Sequence, residues 1–196
     1  MPSPIGTFLF SASDFAFLNA SNFIFNAFTT GIAFHDVVLE AQEKGYTEPD
    51  PKIDLSGVDV ARKILILARE SGLEIELEDI DNQSFLTLET LQTNSNKAFF
   101  ESLKANATHF DKLLEKAKAK GARLKYIAQL DGNKASVGLQ HVLPDHDFYN
   151  LEGSDNIILF YSNRYNEQPL IVKGAGAGAE VTAAGIFGDI IRIGKR

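Results

Sequence analysis

Between residues 22 and 45 apolar side chains recur at Phe25, Phe28, Ile32, Val37, Val38 and Leu39, spacings mostly those of a helix, and the run closes in Glu43-Lys44-Gly45 as a helix C-terminus does. One helix is predicted there. Residues 47–51, Thr-Glu-Pro-Asp-Pro, interrupt it, because each proline drives the residue before it toward extended geometry. They predict a rigid, non-helical loop. Ser56-Gly57-Val58-Asp59 then has the form of a capping box with Ser56 as N-cap, and Val58, Ala61, Leu65 and Ala68 repeat with helical period up to Ser71-Gly72. A helix over 57–70 follows. Residues 74–80 alternate acidic with apolar side chains and predict a short strand. Residues 96–121, with Phe99, Phe100, Leu103, Phe110, Leu113 and Leu114 among many Lys and Glu, predict a long amphipathic helix or a helix pair.

Beyond Gly121 the period changes to two. Residues 124–130 and 135–140 read as a hairpin, with Asp131-Gly132-Asn133 supplying the positive φ of a tight turn. Further strands are expected over 156–164 and 170–172. After the run Gly174-Ala175-Gly176-Ala177-Gly178 an apolar helix is expected over 181–193, closing at Gly194-Lys195-Arg196. Helices and strands are mixed without regular βαβ alternation or internal repeat, so the fold class is α+β with a partly antiparallel, mixed sheet.

Composition narrows the function classes. The chain has 196 residues, 44% of them hydrophobic and 23% charged, an ordinary globular balance for one domain able to build its own core. A net charge of -7 argues against a nucleic-acid partner, which calls for a basic face. The absence of cysteine excludes a disulfide scaffold, a thiolate nucleophile and cysteine-ligated metals, and it suits a cytoplasmic location. The first 43 residues contain no Lys or Arg yet hold eight of the 15 Phe. Polar residues break this stretch too often for a membrane span, and it has no basic n-region for a signal peptide. Its Phe side chains therefore pack either into this domain's core or onto a surface that a neighbour covers.

Glu48, Asp50, Asp54, Asp59 and Lys63 gather four carboxylates and an amine, beginning on the proline loop and ending in the first turns of a helix. Asp59 and Lys63 stand at i and i+4, on one helical face, where a carboxylate orients an ammonium for acid–base work. The same spacing also suits a plain surface ion pair, and Asp59 a plain cap. No His or regular oxygen-ligand loop accompanies the carboxylates, so no metal site is assigned. His35, His109, His141 and His146 share no spacing and read as surface or core residues. The basic run Lys112, Lys116, Lys118, Lys120, Arg123 and Lys125 reads as a solvated helix face. Taken alone, the glycine run marks a turn where backbones approach closely.

Two longer stretches carry a resemblance. Residues 46–51, Tyr-Thr-Glu-Pro-Asp-Pro, followed by residues 54–69, Asp-Leu-Ser-Gly-Val-Asp-Val-Ala-Arg-Lys-Ile-Leu-Ile-Leu-Ala-Arg, closely resemble the catalytic region of homoserine dehydrogenases, most of all the form in bifunctional aspartokinase/homoserine dehydrogenases. Residues 174–190 are similar to that family's glycine-rich closing loop and last helix. The two motifs occur in the family's order, and the likeness runs from about residue 22 to 193.

The resemblance implies a homoserine dehydrogenase catalytic-domain-like fold, a mixed sheet with helices packed on one face. It implies interconversion of aspartate 4-semialdehyde and homoserine with NADP or NAD, a step toward threonine and methionine. Lys63 would be the acid–base residue and Asp59 its orienting partner. Glu48 and Asp54 would hold the substrate ammonium, Tyr46 would line the pocket, and Gly176, Gly178 and Glu180 would lie toward the cofactor. Charge logic agrees, since a zwitterionic amino acid needs carboxylates for its amine and a cation near the reacting oxygen. The family's dinucleotide fingerprint, a strand, a glycine turn and a helix, does not precede residue 22. The expected organisation is an atypical segment over 1–18 and a catalytic and dimerisation domain over 19–196. A homodimer is expected, as family members are similar in pairing through this region and residues 124–130 and 156–164 are apolar on both faces. No membrane partner is expected. The reading from a different class is a non-catalytic dimerisation or substrate-binding module, inactive without a cofactor domain.

Overall fold

The computed structural model describes residues 14–18, 21–151, 155–175 and 179–195. The chain opens with strand β1 (Asp14–Leu18), then helices α1 (Ser21–Ala27), α2 (Phe34–Glu43), α3 (Pro51–Leu55) and α4 (Val58–Glu70). A 3-10 turn (Leu77–Asp79), strand β2 (Asp81–Gln83) and helices α5 (Leu88–Leu91), α6 (Asn96–Ala105) and α7 (Ala107–Ala119) follow. Strands β3 (Arg123–Asp131), β4 (Lys134–Val142), β5 (Asp155–Tyr161) and β6 (Leu170–Ala175) complete the sheet before helix α8 (Ala179–Gly194).

Among the described residues six strands form one sheet in the order β2-β4-β3-β1-β5-β6. Only the β2–β4 pair is parallel; the rest are antiparallel, so the sheet is mixed as expected. The β3–β4 hairpin turns at Gly132, whose φ of 56° is the left-handed value the turn requires. Residues 14–18 fall in the segment expected to be atypical, yet β1 sits centrally, pairing with β3 on one side and β5 on the other.

Alternation along β3 divides the interior. Leu124, Tyr126, Ala128 and Leu130 join a large core with Ile24, Phe34, Val38, Val60 and Ile64 from the helices. Ile127 joins a second, smaller cluster with Val142, Phe148, Leu151, Ile157 and Leu159. The apolar residues of β3 are thus buried within the chain, and on β5 Ile157 and Leu159 are buried while Ile158 and Phe160 pack half-buried against the larger core. That corrects the reason given for a dimer: the exposed apolar strand is the edge strand β6, where Leu170, Ile171 and Val172 are 45%, 44% and 52% exposed. Of the Phe-rich N-terminal stretch, Phe25, Phe28 and Phe34 are buried, and Phe34 stacks on Phe110 with ring centres 4.3 Å apart. For these three the domain's own core is the answer.

Four local expectations change. The helix over 22–45 is two helices, because Thr29-Thr30-Gly31 separates them and Gly31 takes a φ of 86° that no right-handed helix allows. Both halves bury their faces in one core, which is why the apolar spacing ran on. The stretch 74–80 forms no strand: residues 77–79 make the 3-10 turn, where Asp79 and Glu76 cap each other's backbone. Pro51 is the first residue of α3 and not loop, since a proline is tolerated where the N–H has no helical partner and Asp50 caps the turn from its carboxylate. Ser56 ends α3 instead of starting α4, whose N-cap is Gly57 at φ 83°. Two members of the basic run are misread as well, since Arg123 and Lys125 stand on β3 and not on a helix, Arg123 being exposed. Lys125 is fully buried on β3, its Nζ donating to Asn26 Oδ1 at 2.6 Å and to the Leu151 carbonyl at 2.9 Å.

Candidate functional site

Four of the five charged residues singled out in the sequence converge at the junction of the 46–50 loop, α3 and α4. Helix α4 buries Val60, Ala61, Ile64 and Ala68, which turns Asp59 and Lys63 toward solvent on the opposite face. There Lys63 Nζ lies 2.7 Å from Asp59 Oδ2, with the side chains 42% and 34% exposed. The ammonium is oriented and still accessible. Asp54, on α3, accepts the Glu48 backbone N–H at 2.8 Å through Oδ2. Burial pushes the Asp54 carboxyl above its ordinary value; the Glu48 N–H pulls it down, the Asp59 and Glu48 charges push it up, and Lys63 pulls it down. The charges of Glu48, Asp54, Asp59 and Lys63 therefore act on one another across a small space.

The loop carrying Glu48 is held from distant parts of the chain. Its Pro49 carbonyl accepts from Gln42 Nε2 at 3.0 Å and from Asn96 Nδ2 at 2.6 Å. Lys52 Nζ reaches the Thr93 carbonyl. Asp50 spends its side chain on the cap of α3, accepting from the Lys52 N–H at 3.1 Å, and so serves the fold. Tyr46 stands at the base of the same loop with its ring 4.7 Å from that of Phe23 on α1. Its place in the chain, two residues before Glu48, brings it near the charged cluster. Gly176 and Gly178 lie outside the described residues. Glu180 falls in the first turn of α8, and its side chain is likewise outside them.

Sequence reasoning missed the residues that hold the α3–α4 junction. Asn82 Nδ2 donates to the Ser56 carbonyl at 3.0 Å, and the Tyr126 hydroxyl donates to Asn82 Oδ1 at 3.2 Å. Neither residue lies within twenty positions of α4's start, and neither belongs to a recognisable motif. The one signal was Gly57 itself, a glycine where a helix was expected to begin.

Chemically, the cluster pairs an amine able to take a proton, or to give one as the ammonium, with carboxylates able to hold an ammonium. Among the described residues no group of His, Cys, Asp and Glu is placed to hold a metal, and no helix is long and apolar enough to cross a membrane. A family model described as homoserine dehydrogenase matches residues 16–191. The bifunctional aspartokinase/homoserine dehydrogenase 2, chloroplastic, of Zea mays is 49% identical over 90% of this chain and 20% of its own length. The homoserine dehydrogenase of Saccharomyces cerevisiae is 39% identical over 92% of this chain and 52% of its own. The crystal structure of a putative homoserine dehydrogenase from Archaeoglobus fulgidus superposes with a TM-score of 0.69 at 26% identity, covering 93% of this chain and 50% of that one. The chain thus spans about half the length of the fungal relative and a fifth of the plant one.

Proposed function

Because this chain belongs to the homoserine dehydrogenase family, we propose that it supplies the substrate-binding and proton-transferring part of an enzyme that interconverts homoserine and aspartate 4-semialdehyde. The observation that carries this reading is the Asp59–Lys63 pair at 2.7 Å, set on an open helix face beside Asp54 and Glu48. A zwitterionic amino acid with one reacting oxygen asks for that combination: carboxylates for its ammonium and a cation at the oxygen. Glu48 and Asp54 hold the ammonium. As the neutral amine, Lys63 Nζ accepts the hydroxyl proton when homoserine is oxidised, and as the ammonium so formed it returns that proton when the aldehyde is reduced, while Asp59 keeps Nζ turned to that oxygen. Tyr46 walls the amino-acid end of the pocket.

The family uses NAD or NADP, and the bound nicotinamide supplies the hydride chemistry. Among the described residues the donor set fits the amino acid and not a dinucleotide. An added Cβ at Gly174 meets nothing within 4 Å, so no close backbone cradle forms at that point. Gly176, Gly178 and Glu180 are the part of this chain proposed to face the nicotinamide, with NADP or NAD held mainly outside the described residues. Two chains pair, in this reading, through the exposed apolar edge at β6, and the protein works in the cytoplasm.

The test is homoserine oxidation followed by NADPH formation in the enzyme containing this chain, with Lys63→Ala and Glu48→Gln beside the wild type. Loss of turnover in the first and weakened homoserine binding in the second are expected; wild-type kinetics in both would overturn the reading. The module reading predicts negligible NADPH binding to this chain in an equilibrium titration and no homoserine turnover without a cofactor domain.

A further inference from the structure

Helix α4 presents the reacting pair, so whatever fixes its first turn fixes the direction of Lys63. That turn begins at Gly57, whose carbonyl accepts the Ala61 N–H at 2.8 Å, and whose φ of 83° places its Cα hard against two side chains from the sheet. A Cβ built on Gly57 would lie 2.1 Å from Tyr126 Oη and 2.5 Å from Asn82 Oδ1. Asn82 stands in mid-β2, opposite Val137 of β4, and donates to the Ser56 carbonyl at 3.0 Å. Tyr126 on β3 is fully buried, and its ring meets Phe85 edge-on at 5.2 Å, so its hydroxyl has a fixed position from which to donate to Asn82 Oδ1 at 3.2 Å. The Ser56–Gly57 peptide is thereby clamped onto two strands of the sheet.

We infer that Asn82 and Tyr126 are positioning residues for the proton transfer, aiming the Asp59–Lys63 pair by latching the start of α4 to β2 and β3. The inference rests on Lys63 being the acid–base group. Burial holds the Tyr126 hydroxyl above its ordinary value, so it remains a donor throughout the working pH range. Lys63 follows Gly57 by six residues, about 9 Å along the helix axis, so a tilt of roughly 6° at the latch moves the ammonium by about 1 Å. A misplacement of that size costs up to about 10²-fold in rate.

Two measurements test the latch. In the enzyme containing this chain, Tyr126→Phe and Asn82→Ala should lower kcat about tenfold or more while leaving the KM for homoserine within about twofold, because neither residue touches substrate. In this chain alone, the same variants should speed hydrogen exchange of the Ala61 amide by about tenfold relative to amides late in α4. Gly57→Ala should also do less damage to folding in the Tyr126→Phe background than in the wild type, since the nearest clashing atom is then gone. Tyr126→Phe keeps the ring against Phe85 and carries the test if Asn82→Ala fails to fold. Unchanged kcat with unchanged Ala61 exchange would overturn the inference, as would a rise in KM alone. If Lys63→Ala itself left turnover intact, the functional reading would fall, and the Ala61 exchange would still report whether the latch exists.

Discussion

Replacing Lys63 with Ala separates a catalytic lysine from a decorative one by comparing two magnitudes. The Asp59–Lys63 pair is an i, i+4 contact at 2.7 Å between side chains 34% and 42% exposed. Pairs of that kind stabilise a helix by about 0.3–0.5 kcal/mol, and alanine restores a little through its helix propensity. For a chain of this size such a loss lowers the melting temperature by about 1–2 °C. A positioned acid–base group contributes about 10²–10⁴-fold to rate, roughly 2.7–5.4 kcal/mol of barrier. Turnover should therefore fall by at least two orders of magnitude while thermal unfolding followed by circular dichroism scarcely moves. Asp59→Asn should slow turnover too, since it leaves Lys63 in place with its partner's charge removed. A Lys63→Ala variant with near-normal turnover and a sharply lowered melting temperature would show that the pair serves only the helix.

Other substitutions probe the remaining parts. Glu48→Gln removes a charged partner of the substrate ammonium and should raise the homoserine KM by about 10–100-fold with kcat nearly unchanged, read by steady-state kinetics. Asp54→Asn keeps an acceptor for the Glu48 N–H but removes a carboxylate whose affinity for its proton is raised by burial, so it should impair substrate binding without lowering stability at neutral pH. The sign follows from linkage: the folded state holds the Asp54 proton more tightly than the unfolded chain does, so this group's contribution declines as pH rises above its ordinary value of 3.8. Chemical unfolding across that range should show the Asp54→Asn variant gaining on the wild type toward neutral pH. Gly57→Ala should destabilise by about 2–5 kcal/mol, from left-handed backbone strain and from the contact with Tyr126 Oη, measured by urea unfolding. Sedimentation should give a dimer, and only a 21.5 kDa species at micromolar concentration would refute pairing through β6.

Asparagine and glutamine outside the acidic cluster illustrate why part of the site escapes a linear reading. Asp59 and Lys63 were legible because a helix repeats every 3.6 residues, so four positions in sequence already mean one face in space. Glu48 and Asp54 were legible because the prolines at 49 and 51 stiffen the short path between them and the family resemblance singles out both. Gln42, Asn96, Asn82 and Tyr126 are no less involved in holding that geometry, yet their partners lie between seven and 47 positions away. An Asn in a strand looks the same whether its amide meets water or a carbonyl on another element.

What the sequence determined by itself was local and periodic: the amphipathic helices, the β3–β4 hairpin with its glycine turn, the mixed class of the fold and the charged face of α4. These depend on side chains a few residues apart, where propensity and burial act together. Tertiary structure alone decided that residues 14–18 lie mid-sheet, that Lys125 is buried while its basic neighbours are exposed, and that Gly57 starts α4 beneath Tyr126 and Asn82. Strand pairing, burial of a charged side chain and the close approach of a backbone all depend on which distant segments meet. That choice is made by the packing of the whole core, and no window of neighbouring residues contains it.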